Sequence, residues 1–291
     1  MGELTLRRVG EARLACAGST ARRASPSGKG AGVVWKVAAS VLNRLLHTRI
    51  GHSCVDLIIL ALQYRVFSPR TVHAMRFDSL RLRARTRHRR REGRPGTSRL
   101  HLGCGSRRIT GWLNVDVAGS DEDVDLAAGM LPWADGSFDV IVSQQVIEHL
   151  DLISELVPLF RELHRVCKPG AEIWLACPDL AKACRYYDVD KGASLLADRD
   201  ARAATAAGPN GVPADAGLTD APVQHFINAM FHQMGEHKNL LDFELIEWLC
   251  KKTGFGDCRR VSEKDLLTRF PEFPARNDDY TSIYVRATAG S

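Results

Sequence analysis

The chain has 291 residues, 45% of them hydrophobic and 25% charged. No apolar stretch approaches the roughly 18 residues a bilayer-spanning helix needs, so a membrane-spanning helix is not expected. The length suits one sizeable α/β domain with an extension, or two small domains. Eight cysteines are scattered along the chain and no two form a CxxC pair, which argues against a zinc ribbon or a dithiol redox motif. A cytoplasmic protein with reduced thiols is the expectation. The net charge of +6 conceals a division: Met1–Gly96 carries 20 Lys/Arg against 5 Asp/Glu, and the rest 20 against 29. A basic arm is joined to a mildly acidic body.

Residues 1–32 are rich in Arg, Ala, Ser and Gly without apolar periodicity, and a disordered basic tail is expected there. The same composition fits an organelle transit peptide or an over-extended start. Residues 33–97 read as a helical basic extension and linker. Val37, Val41, Leu45 and Leu46, then Val55, Ile58, Ile59 and Leu62, repeat at helical spacing on either side of Gly51. Such a hairpin packs on a neighbouring domain or lies on an anionic membrane surface, which would make the protein peripheral to the membrane. The run RLRARTRHRRREGR at 81–94 is either a solvated linker or a holder of phosphates from nucleic acid or lipid headgroups.

From residue 98 to 291 the texture is that of a globular domain. Arg99–Leu102 reads as a strand running into Gly103-Cys104-Gly105, Trp112–Val117 as a second, and Phe138–Ser143 as a buried parallel strand. A helix is expected at about 153–167, closed by Lys168-Pro169-Gly170, and then a strand over Glu172–Cys177. Residues 191–222 read as a surface insertion within a lid of about 181–241. A helix over about 242–253 and strands near Cys258–Val261 and Tyr280–Thr288 complete the pattern, the last strand entering antiparallel. Alternating strands and helices predict a doubly wound, mostly parallel Rossmann-like sheet.

A strand ending in Gly-x-Gly lets the backbone turn sharply beside a ligand at the carboxyl edge of the sheet. Asp116, ending the second strand, is placed to accept both ribose hydroxyls. A pyrophosphate dinucleotide fits poorly: Arg108 stands where GxGxxG has its third glycine, no helix start follows to cradle phosphate, and no P-loop exists. This counts against a nicotinamide reductase and favours a nucleoside without phosphates.

The segments LHLGCGSRRITGWLNVDV, DLAAGMLPWADGSFDVIVSQQVIEHL and LFRELHRVCKPGAEIWLACPDL resemble the class I S-adenosylmethionine-dependent methyltransferases, in particular the type 11 group and its bacterial branch with GCG followed by GWxNVD. HKNLLDFELIEWLCKKTGF resembles that branch's late segment, so the likeness runs from about Leu100 to Val285. It implies S-adenosyl-L-methionine as cofactor. Gly103, Cys104 and Gly105 would line its methionine part, Asp116 its ribose, Asp125 and Leu126 its adenine, and Ser143 and Gln144 would face sulfonium and acceptor. The connections after the first and second strands are shorter than usual for the class.

Methyl transfer from a sulfonium needs acceptor and methyl held in line, and an acceptor hydroxyl also needs a proton acceptor, usually histidine. His237 is the first candidate and His149 the second, with His225 and His232 also in the lid. Some relatives bind a divalent ion through E-x-x-E-H; here Gln145 replaces the first carboxylate of that motif, which weakens a hard-cation site, so no metal is expected. The branch accompanies surface-polysaccharide assembly, which implies a sugar or glycan hydroxyl as acceptor. The alternatives are an RNA methyltransferase using the basic arm and a non-catalytic Rossmann-fold interaction module.

Overall fold

The computed structural model describes residues 68–87, 95–203 and 221–290, all within one compact unit, Val55–Ser291. The tail over 1–32, the expected hairpin over 33–67 and part of the expected insertion lie outside the described residues. No helix among the described residues is long and apolar enough to cross a membrane.

Seven strands form one sheet: β1 (Arg99–Leu102), β2 (Leu113–Asp116), β3 (Glu122–Asp123), β4 (Phe138–Gln144), β5 (Cys167–Pro178), β6 (Phe255–Val261) and β7 (Ser282–Ala289). Their order is β3-β2-β1-β4-β5-β7-β6. The first five run parallel, and β7 is antiparallel to both of its neighbours. Chain order reverses between β1 and β4, and ligands of such sheets bind beyond the carboxyl ends of the strands at that point.

The central strands are buried on both faces, which is why β4 is apolar without alternation. Ile141, Ile173, Leu175 and Val285 face a large core that also takes Leu159, Phe160 and Leu163. These last three belong to α2 (Val157–Val166), whose five buried apolar side chains follow helical spacing. Burying each contributes roughly 1.5–3 kcal/mol. On the opposite face Val142, Trp174 and Tyr284 join Trp112, Phe270 and Phe273 in a second core. No helix connects β1 to β2. In its place the Trp112 ring meets Phe270 and Phe273 edge-on at 5.3 and 4.9 Å, covering the sheet with aromatic area.

Several elements differ from expectation. The helix expected from about 153 begins as a single π-turn, Leu152–Leu156, before α2. Lys168-Pro169-Gly170 does not separate helix from strand, because β5 starts at Cys167, opposite Phe138, and passes an irregularity before Glu172 pairs with Val140. Most of the described part of the expected lid is helical: α3 (Leu180–Asp190), α4 (Ala193–Ala203) and α5 (Gln224–His232) gather around Leu195, Phe226, Ile227 and Met230 in a small separate core. The helix α6 (Phe243–Thr253) lies where expected, and α7 (Glu263–Arg269) is an addition closed by a capping box between Ser262 and Asp265. Ahead of the sheet, α1 (Pro69–Arg87) falls within the basic extension.

Candidate active site

The carboxyl end of β1 passes into Gly103 at φ 64° and Gly105 at φ 52°, a region where a side chain is strained. At Gly103 there is no room either, since a Cβ would lie 2.1 Å from a methyl of Val146. Only glycine lets this loop meet the loop after β4. Around Gly105 the space is open, and its N–H donates to Asp116 Oδ2 at 2.8 Å. Asp116 Oδ1 accepts from Val117 N–H at 2.6 Å. The glycine loop and the carboxylate that ends β2 therefore form one edge, a shape that fits a nucleoside ribose. Cys104 donates its N–H to Val115 and turns its thiol inward, where burial pushes it up to about 11.

Asp125 and Leu126 open a short 3-10 turn, with the Asp125 carboxylate accepting from Ala127 N–H. Leu126 packs into the sheet core. The buried Asp125 carboxylate is also held by two arginines of α1, Arg81 Nε at 3.1 Å and Arg85 Nε. Arg81 reaches Glu155 at 3.0 Å with its other arm, and Glu155 takes Lys238 Nζ at 2.7 Å. Arg81 and Arg85, at the start of the basic run, are thus paired with carboxylates. Arg81 and Arg85 stand one helical turn apart on one face, but nothing in the sequence names carboxylates 40 or more residues away as their partners.

Ser143 and Gln144 end β4 buried. Gln145 follows at φ 60°, and its side-chain amide donates to Asp278 Oδ2 at 3.1 Å and Ser282 Oγ at 2.9 Å. Asp278, fully buried, also takes Arg276 Nε and the Tyr284 hydroxyl. Gln145 is engaged with this network, away from the residues that follow it.

Those residues bring one buried carboxylate and two histidines together. Glu148 is 1% exposed and neither carboxylate oxygen has a hydrogen-bond partner. Burial raises its carboxyl to about 8. Its backbone carbonyl accepts from Lys238 N–H at 2.8 Å and Asn239 N–H at 3.1 Å, which fastens the segment around His237 beside it. His237 Nδ1–H donates to the Met230 carbonyl at 2.8 Å, so Nε2 carries the lone pair, and that atom is buried without a partner. Burial and the nearby His149 lower His237 to about 4. The His149 and His237 rings lie 4.8 Å apart, and burial lowers His149 too. The two histidines expected in catalysis are brought together. His225 stacks on Phe226 and His232 is exposed at the end of α5, so neither joins them. Glu148, considered from the sequence only within the E-x-x-E-H pattern that Gln145 breaks, is not among the residues expected in catalysis. The signal was a charged residue four positions past the end of a mostly buried strand.

Residues 100–175, from β1 into β5, match the family model described as a methyltransferase domain, of the type 11 group. No curated protein matches the chain. Among solved structures the chain is similar to an S-adenosylmethionine-dependent methyltransferase from Mesorhizobium loti, with 16% identity over 71% of this chain and 95% of that one and a TM-score of 0.35. It is similar also to one from Methanosarcina mazei, with 17% identity, 66% and 91% coverage and a TM-score of 0.37. The doubly wound sheet is a Rossmann-like α/β fold, and the segment that matches a methyltransferase domain runs through its switch point, which supports a methyltransferase. The matched segment is similar to the type 11 group, for which S-adenosyl-L-methionine is the expected cofactor.

Proposed function

We propose that the enzyme methylates an acceptor hydroxyl, and that the hydroxyl belongs to a sugar or surface glycan. The observation that carries the first part is the His237 Nε2 lone pair, buried beside His149 and Glu148 just past the carboxyl end of β4. An amine or thiolate acceptor attacks without such a group, whereas a hydroxyl must lose its proton as it attacks. The second part rests on the likeness to the bacterial branch and remains analogy.

In this reading Gly103, Cys104 and Gly105 hold the methionine part of the cofactor by their backbone. Asp116 accepts the ribose hydroxyls, and the turn at Asp125-Leu126 bounds the adenine. The Asp125 carboxylate, occupied by Arg81 and Arg85, shapes that edge and leaves base contact to the backbone. When bound, S-adenosylmethionine supplies an electrophilic methyl carbon whose bond electrons return to sulfur. The protein's own residues orient the acceptor at Ser143 and Gln144, exclude water, and take the hydroxyl proton at the His149–His237 pair. Engagement of Arg81 and Arg85 by carboxylates weighs against RNA as acceptor, since it removes two cations from the basic run.

Radiolabelled methyl transfer to a panel of sugars, glycans and RNA tests the proposal. Label in a base-stable methyl ether on a sugar, lost in His237→Ala, is the expected result. Label on an RNA base or an amine would overturn it.

A further inference from the structure

We infer that Arg81 is a positioning residue that couples the turn at Asp125 to the segment carrying His237, through one chain of ion pairs running Asp125–Arg81–Glu155–Lys238. Arg81 forks between two carboxylates, its Nε 3.1 Å from Asp125 Oδ1 and its Nη2 3.0 Å from Glu155 Oε1. Lys238 Nζ donates to Glu155 Oε2 at 2.7 Å, and the Asp151 N–H donates to the same oxygen at 2.9 Å. Lys238 follows His237 directly, and its own N–H is fastened to the Glu148 carbonyl. Elements far apart in sequence (α1, the π-turn and the segment after α5) thus meet at one carboxylate, and α1 carries the link on to Asp125.

Burial makes these pairs hard to break one at a time. The Asp125 side chain is 3% exposed, that of Glu155 15% and that of Arg81 17%. Removing one partner leaves a charge with little solvent to replace it, so each link holds only while its neighbours hold. Burial alone would raise the Glu155 carboxyl; the donors from Lys238, Asp151 and Arg81 hold it below the ordinary carboxylate range instead. Glu155 is presented by the π-turn Leu152–Leu156, which the Leu156 N–H closes on the Asp151 carbonyl at 2.8 Å. Such turns are rare and often stand at functional sites. α1 is keyed to the same surface along one face, for His73, Arg81 and Arg85 are spaced by eight and four residues, and His73 Nε2 stands 3.8 Å from Glu236, next to His237 in the chain. The centre requires arginine, because a lysine offers one point of charge and cannot span both carboxylates. A ligand that fixes the Asp125 turn therefore favours the ordered form of the His237 segment, and the reverse. The catalytic meaning of this coupling rests on the reading above, with adenine at the turn and the acceptor at the segment; the link between the two elements does not.

The test is hydrogen exchange on the full chain, with and without S-adenosylhomocysteine, in the unaltered protein and in Glu155→Gln, which keeps the shape of the central carboxylate but not its charge. In the unaltered protein the ligand is expected to slow exchange at residues 127–129 and, across the chain of pairs, at Lys238 and Asn239. In Glu155→Gln protection of the turn persists, protection of Lys238 and Asn239 is lost, and affinity falls by about fivefold or more. Arg81→Lys should behave as Glu155→Gln does. Glu247→Gln, which breaks an exposed pair on α6, should change neither. Slow exchange in β4 and β5 shows that each variant is folded. Where Glu155→Gln does not fold, Lys238→Met, at the partly exposed end of the chain of pairs, takes its place. Undiminished protection of Lys238 and Asn239 in these variants, or protection confined to the turn in the unaltered protein, would overturn the coupling. Failure of S-adenosylhomocysteine to bind the folded, unaltered protein would overturn the cofactor reading instead. The coupling is then decided without ligand: Glu155→Gln must speed exchange at the turn and at Lys238 and Asn239 together, and a change at one end alone overturns it.

Discussion

The two ends of the site are built in different ways. The proposed cofactor edge, from Gly103 to Asp116, comes from one short stretch of chain, and its decisive groups are backbone N–H groups and one carboxylate joined by a 2.8 Å hydrogen bond. The proposed acceptor edge is assembled from β4 and from the segment after α5, nearly ninety residues later, and its decisive groups are buried side chains with unpartnered atoms. A site read from local backbone geometry tolerates little change in shape. A site made of distant side chains depends on the elements that bring them together, here the pairing of Lys238 and Asn239 N–H with the Glu148 carbonyl.

Substitutions can break this contrast in order of size. Gly103→Ala should be the most damaging, because it adds left-handed strain to a clash with Val146. A loss of about 3 kcal/mol in denaturant unfolding is expected, together with loss of S-adenosylhomocysteine binding. An unchanged protein would mean the two loops do not meet as described. Next is Arg81→Ala, which removes one partner each from buried Asp125 and from Glu155. About 2 kcal/mol should be lost, and a double-mutant cycle with Asp125→Asn should show coupling. Gln145→Glu should cost about 2 kcal/mol by setting a second carboxylate against buried Asp278, seen as a lower Tm. Arg85→Ala is the mildest, below about 1 kcal/mol, because half of its side chain is exposed. A larger effect would make Arg85 the main anchor of α1.

The same contrast explains what was legible in the sequence. β1, β2, β4 and the glycine–aspartate edge are continuous in sequence, and burial on both sheet faces leaves apolar runs that are easily read. α2 and α6 show helical spacing because each buries one stripe against the large core. α3, α4 and α5 were obscure since they bury little except one another, so Ala-rich, polar segments such as Ala193–Ala203 resemble a surface loop. The Asp125–Arg81 contact and the isolation of the Glu148 carboxylate arise only from tertiary packing. Periodicity carries no trace of them. His237 and His149 were identified singly, but their closeness and the carboxylate between the two segments were not.

The central claim is that the edge formed by Gly105 and Asp116 holds the cofactor. Calorimetric titration of the full chain with S-adenosylhomocysteine, beside Asp116→Ala, tests it most directly. The account predicts micromolar binding to the unaltered protein, weakened by about a hundredfold when the two acceptor oxygens are removed. Absence of binding by folded protein, or binding indifferent to the substitution, would contradict it.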